Sequence, residues 1–418
     1  MKKSFLFILL SLTLLLYSIQ TFSPLRLRTD PISYFTLAIS FSDNGNFLIH
    51  NQPSRFPDGY PFLISVLEKC GLANSGVLIG INIFFLLTGF FFLSNILKEH
   101  FEFSLQNNLI VCLLTSLSFS FVKYFTLPIP DFIYFGLSIF ILYLLTKYWN
   151  STFSEKLIVS IITILLLLIS LEFRTIGFVL VFPMIWFWIP KGSGIYEVVR
   201  KIHIGWFIGF GFLLIGLIFF ISQLTYFSEG LQIFKGNGAA NYFFSLLDFR
   251  MTEFGELFIN FPSTNIPHHL MIPVTGIGLV ILCILLFSVI KSVRQIGIIE
   301  IYLIAYCLVI LFWPYYDTRF WIPVFPFLVV YMFKYFSGYL DNSMWKRRLV
   351  SVYLSLYILL GFSGLIYTSN ITFSGKRFPD NYNFDSLRPT YRYVFRNEKV
   401  DSSLIDWDAE KILKRFGK

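Results

Sequence analysis

The chain has 418 residues, of which 56% are hydrophobic and only 14% charged, whereas a soluble domain is on average roughly a quarter charged. A soluble globular enzyme is excluded on that ground. One residue in five is aromatic and Phe alone supplies 52, and repeated apolar runs approach the ~20 residues that cross a bilayer, so the composition predicts a polytopic membrane protein.

The first apolar run, Phe5 to Tyr17, follows Met1-Lys2-Lys3. A signal peptide has a similar basic start and apolar middle. No small-x-small cleavage site follows, however, and Ser18 to Phe22 extends the run to spanning length, which predicts an uncleaved first helix. Hydropathy then predicts spans at about 75-97, 106-123, 132-149, 157-173, 175-190, 204-222, 270-290, 297-313, 320-336 and 349-367, eleven with the first at 5-22. With a cytoplasmic N-terminus, the inner segments hold fourteen Lys and Arg against six Asp and Glu, and the outer face is left nearly neutral, with 18 acidic and 19 basic residues. Basic residues are concentrated in cytoplasmic loops of membrane proteins, so the net charge of +9 reflects topology and gives no support to a nucleic-acid partner. The expected fold is all-α, a transmembrane domain over 1-367 with amphipathic helices in a first outer loop at 23-73, a large outer loop at 223-269, and a polar tail at 368-418 on the outer face. Some 50 residues are too few for a strong independent core, so the tail is expected to pack on the membrane domain or on a partner. Cys70, Cys112, Cys283 and Cys307 are scattered without CxxC spacing, which indicates neither a disulfide framework nor a thiolate metal site.

Residues able to do chemistry gather at the predicted outer ends of spans. Asp30-Pro31 is a standard helix start, with Asp as N-cap and Pro at the first helical position, and that reading explains Asp30 without any function. An Asp beside the bilayer surface can equally serve as a base towards a membrane-bound substrate. Arg55 lies in the turn-rich stretch Asn51 to Pro61; a guanidinium there can grip a phosphate through paired hydrogen bonds, or touch lipid headgroups. Asp131, after Leu127-Pro128-Ile129-Pro130, is a second outer acid or the N-cap of the fourth span. Arg174 and Arg319 sit at membrane edges, where a charge is costly and is paired or functional; Glu172 and Asp317, each two residues away, are the nearest partners in sequence. Lys235 and Arg250 in the large outer loop can add positive charge. His268-His269 lacks any Cys, His or acid at ligand spacing, so an interfacial position before the eighth span is expected there in place of a metal site.

The early Asp, the helix bearing Tyr and the segment "PDGYPFLISVLEKCG", together with Glu172-Phe173-Arg174 and the Arg-aromatic-x-x-Pro-x-x-Pro run from Arg319 to Pro326, resemble the bacterial GT-C glycosyltransferases. These include the lipid A aminoarabinose transferases and protein O-mannosyltransferases, and the resemblance covers roughly residues 1-336. It implies a polyprenyl-phosphate sugar as donor, a glycan, lipid or protein as acceptor, Asp30 as catalytic base with Asp131 as a second acid, and Arg55, Tyr60, Arg174 and Arg319 as the residues that hold sugar and lipid phosphate. The usual Ser-Glu or Asp-x-Glu partner of the second acid is missing at Asp131. No cofactor is called for, with a divalent cation left open. The competing classes are a transporter or lipid flippase, which would place ionisable groups within its spans near the midplane, and a polysaccharide polymerase or ligase.

Overall fold

The computed structural model describes residues 3–50, 52–54, 56–189, 238–292, 296–340, 344–382 and 385–417. Arg55, Lys235 and the predicted span 204-222 lie outside the described residues. The described chain is a helical membrane protein. Five helices are long and apolar enough to cross a bilayer, at Lys3–Phe22, Ser75–Glu99, Phe153–Phe173, His268–Ser288 and Met344–Thr372. Shorter apolar helices run over Thr175–Trp186, Ile298–Leu311 and Phe325–Phe336. Contacts divide the chain into two units, one comprising Met1–Leu137, Glu172–Thr175 and Trp345–Lys418, the other Ser138–Leu171 and Ile176–Met344.

In the first unit, α1 (Lys3–Ile19) leads through a short extended stretch to α2 (Thr29–Asn44), then a ribbon of β1 (Leu48–Ile49) and β2 (Gln52–Pro53), then α3 (Gly59–Lys69). Leu48 pairs antiparallel with Pro53 and Ile49 with Gln52, so the all-α expectation is broken by two residues per strand. Helices α2 and α3 fall in the segment where amphipathic helices were expected: α2 buries Tyr34, Phe35, Leu37, Ala38 and Ile39, while α3 leaves Phe62 and Val66 exposed. Next come α4 (Ser75–Glu99), α5 (Leu105–Ser116) and α6 (Phe119–Phe125). The span expected at 106-123 is bent, because α5 and α6 meet at 56°. A break in a helix leaves carbonyls without partners, which must be satisfied within a membrane protein; Tyr17 Oη donates to the Ser116 carbonyl at 2.6 Å. Asn82 of α4 fixes the stretch that follows, donating to the carbonyls of Phe125 at 2.9 Å and Leu127 at 3.2 Å. That stretch delivers α7 (Asp131–Lys147).

The polar tail is helical and belongs to the same unit. After the long α8 (Phe153–Phe173) of the second unit and α14 (Met344–Thr372), the chain makes α15 (Phe378–Asn381), α16 (Arg388–Arg396) and α17 (Trp407–Phe416). Their buried side chains stand on the first loop: Tyr382 Oη donates to the Leu27 carbonyl at 2.8 Å, Tyr391 Oη donates to Leu25 O at 2.7 Å and accepts from Leu27 N at 2.8 Å, and Arg415 bridges Asp43 of α2 and Glu68 of α3. Arg26, 3% exposed, donates to Gln20, Ser23, Thr126, Thr368 and Thr372, tying α1, the end of α6 and α14 together. Burial lowers its pKa to about 10.

In the second unit, α8 is followed by α9 (Val181–Trp186), α10 (Ala239–Ile259), α11 (Met271–Ser292), α12 (Ile298–Leu311) and α13 (Phe325–Leu340). Much of the stretch expected as the large outer loop is therefore helix. Helix α10 lies against α11 at backbone contact: a Cβ on Gly255 would collide with the Val274 carbonyl, and one on Gly278 with the Met251 carbonyl. Small residues are what let two helices approach this closely where no water competes.

Candidate functional site

The first unit brings three of the expected site residues together. Asp131 is the first residue of α7, whose opening hydrogen bond runs from Tyr134 N to the Pro130 carbonyl at 3.0 Å. Its side chain, 2% exposed, is not an N-cap: Oδ1 makes an ion pair with Arg174. Arg174 thus pairs with Asp131, 43 residues away, and not with Glu172 as its spacing suggested. Glu172 points outward and is exposed. The arginine keeps 14% of its side chain open.

Tyr60 completes the group. Helix α3 starts hard against Glu172, which belongs to the same unit: a Cβ on Gly59 would lie 2.6 Å from the Glu172 carbonyl oxygen, so the glycine of the Asp58-Gly59-Tyr60-Pro61 run is what permits the approach. The Tyr60 ring, 1% exposed, meets Tyr34 edge-on at 5.3 Å between centroids, and Tyr34 meets Phe56 at 5.0 Å. Burial, with Tyr34 and the Asp131 carboxylate nearby, pushes the Tyr60 hydroxyl well above its ordinary range. Neither Tyr60 Oη nor Asp131 Oδ2 has a hydrogen-bond partner among the described residues. A buried polar atom left unpaired costs about 1–3 kcal/mol, and a bound water or ligand is one way such a cost is met. Asp58, at the head of α3, is raised by burial and by the charge of Glu172.

Asp30 is four residues before Tyr34 on α2, a spacing that puts the two side chains on one face of a helix. It is the second helical residue; the N-cap is Arg28, which uses no side-chain cap, and the first bond of the helix is Ile32 N to Arg28 O at 2.9 Å. Asp30 is thus not the N-cap expected from Asp30-Pro31 but an acid in the first turn, where the helix dipole favours it.

The second unit treats its charges differently. Arg319 forms an ion pair with Asp317, Nε lying 2.9 Å from Oδ2, the partner its spacing suggested, and lies over the Phe320 ring. Arg250, 1% exposed, is not an addition to a phosphate grip: it pairs with Glu253 at 2.9 Å and donates to the Tyr315 carbonyl at 2.7 Å. Glu253 Oε1 accepts Asp317 N at 2.8 Å and Oε2 accepts Trp321 Nε1 at 2.7 Å. Burial lifts Glu253 to about 7 against the pull of Arg250. This network, absent from the sequence reading, holds the segment from Trp313 to Trp321 against α10. Its signal was the i,i+3 spacing of Arg250 and Glu253, which becomes readable once α10 is known to be a helix.

Among the described residues no three His, Cys, Asp or Glu side chains form a group able to hold a metal ion. Comparison with known proteins finds no matching family model, no matching curated protein and no matching solved structure.

Proposed function

We propose that the protein is an integral membrane glycosyltransferase of GT-C type, with about eleven spans, moving a sugar from a polyprenyl phosphate to an acceptor on the outer face of the membrane. The observation that carries this reading is the Tyr60–Asp131–Arg174 group: a guanidinium at a span end, oriented by a buried carboxylate, with one carboxylate oxygen and one phenol hydroxyl left unpaired beside it. A cation held this way suits the charge that develops on a departing phosphate. The acceptor hydroxyl or amine attacks the anomeric carbon, the bond from that carbon to the phosphate oxygen breaks, and the electron pair leaves with the polyprenyl phosphate. Asp30 takes the acceptor's proton, and a single displacement inverts the anomeric centre. Arg174 complements the leaving group, while Asp131 is a positioning residue for it and offers Oδ2, with Tyr60 Oη, to the sugar. Arg55 and Arg319 remain further candidates for phosphate contact.

Incubation of the purified protein with a panel of polyprenyl-phosphate sugars tests the reading through release of polyprenyl phosphate; no release from any donor moves the assignment to a transporter or flippase. The proposed orientation, N-terminus inside and tail outside, predicts that an impermeant thiol reagent labels Ser403→Cys and not Ser154→Cys in a background lacking the exposed Cys70 and Cys283. The opposite pattern refutes the orientation.

A further inference from the structure

A second feature of the first unit lies apart from this group. Helix α2, the ribbon and the C-terminal α17 border a half-open pocket of about 210 Å³, the space of about seven waters at ~30 Å³ each. Thr36, Ser40 and Asn44 line it from successive turns of α2. Several helical hydroxyls in the protein bond back to the carbonyl four residues earlier, as Ser33 does to Thr29 at 3.2 Å, Thr88 to Phe84 at 2.8 Å and Ser245 to Asn241 at 2.9 Å. Thr36 and Ser40 make no such bond, and their hydroxyls are left to the cavity.

Charges of both signs share the lining. Asp43 is held by Arg415 at 3.0 Å, and Asp408 stands 3.3 Å from His50 Nε2. Each carboxylate has lone pairs to spare beyond these contacts, and the Arg415 guanidinium keeps Asp43 below the ordinary carboxylate range, hence ionised as an acceptor. Lys411 brings donors to the same space, and Ile39 and Leu48 bring apolar surface. A simple anion would face two carboxylates here, and a simple cation would face Lys411. A hydroxyl group donates and accepts at once, so a ring bearing several hydroxyls and a C–H face fits a lining in which donors, acceptors and two aliphatic side chains alternate.

We infer that this cavity is a saccharide-binding site that takes one hydroxyl-rich ring. It stands whether or not the protein transfers sugar. Saturation-transfer NMR on the full chain in nanodiscs, with the methyl glycosides of glucose, mannose, N-acetylglucosamine and arabinose as probes, tests it directly. The expected result is transfer to at least one glycoside. Binding should weaken about threefold to tenfold in Thr36→Val, the loss of one hydrogen bond, and weaken further in Ser40→Leu, whose side chain intrudes on the space. Thr36→Val changes no volume and guards against a folding artefact in the larger substitution. Transfer that these two substitutions leave unchanged would arise elsewhere, which separates this site from the transferase reading. Transfer to none of the four glycosides, or equal transfer in wild type, Thr36→Val and a folded Ser40→Leu, overturns the inference.

Discussion

Asp131, at the start of α7, and Glu253, within α10, are both buried carboxylates, and each is paired with an arginine. They differ in what the second oxygen does. Glu253 uses both, collecting Arg250, the Asp317 amide and the Trp321 indole, so its charge is consumed in fixing a loop. Asp131 uses one, and its other oxygen faces no donor while the neighbouring Tyr60 hydroxyl also goes unpaired. Burial and ion pairing are common to the two regions and say little about function. What distinguishes them is the carboxylate: among the described residues Asp131 keeps an oxygen without a partner and Glu253 does not, while Arg250 itself keeps Nε and Nη1 without a hydrogen-bond partner.

That contrast can be broken at its strongest point first. Removing one partner of a closed buried pair strands the other charge, which typically costs about 3–5 kcal/mol. Glu253→Ala should therefore lower thermal stability in detergent by that order, since Arg250 is 1% exposed. Asp131→Asn should cost clearly less in the same assay, because the amide oxygen still accepts from Arg174, whose side chain has 14% of its surface open. Equal losses would erase the distinction between the two regions.

A smaller effect sharpens it through tyrosines. Tyr391→Phe removes a hydroxyl that both donates to Leu25 O and accepts from Leu27 N, and should cost about 1–3 kcal/mol because two buried backbone groups lose a partner. Tyr60→Phe removes a hydroxyl with no partner and should leave the thermal midpoint unchanged or raise it, while reducing donor turnover. A clear loss of stability in Tyr60→Phe would show that the hydroxyl is already spent.

The smallest effect concerns the tail. Asp43 has its pKa lowered by the Arg415 hydrogen bond. A carboxyl depressed in the folded state contributes stability that is present above its unfolded value and lost as pH falls through the folded one. The tail's protection from protease should hold from neutral pH down to the ordinary carboxylate range and weaken below it, and Arg415→Ala should flatten that acid limb. Both groups are largely exposed, so the change is small.

Hydropathy located the helices well: α4, α8, α11 and α14 fall close to the spans expected at 75-97, 157-173, 270-290 and 349-367. It missed the bend between α5 and α6, because no Pro or Gly marks it and the Tyr17 hydroxyl that tolerates it comes from another helix. It also took α10 for loop, since Arg250, Glu253 and Glu256 read as polar surface until the tertiary network buries them. Of the site, Asp30, Tyr60, Asp131, Arg174 and Arg319 were visible as chemistry-bearing residues at span ends. The pairing of Asp131 with Arg174 was not, because a contact across 43 residues has no periodic signature, and the shorter Glu172 spacing offered a nearer partner. The packing of the tail on Leu25, Leu27, Asp43 and Glu68 was likewise set by contacts more than 300 residues apart.

The proposed mechanism turns on Asp30 acting as a base towards a substrate, against the alternative that it serves only as an acid in the first turn of α2. The direct measurement is polyprenyl-phosphate release from a polyprenyl-phosphate sugar by wild type and by Asp30→Asn, at matched expression and thermal stability. An amide cannot take the acceptor's proton, and loss of a general base costs ~10²- to 10⁴-fold in rate. The account predicts release by wild type and a loss of that size in the variant; a folded Asp30→Asn protein that turns over donor within about threefold of wild type, far below the loss expected of a base, would contradict it.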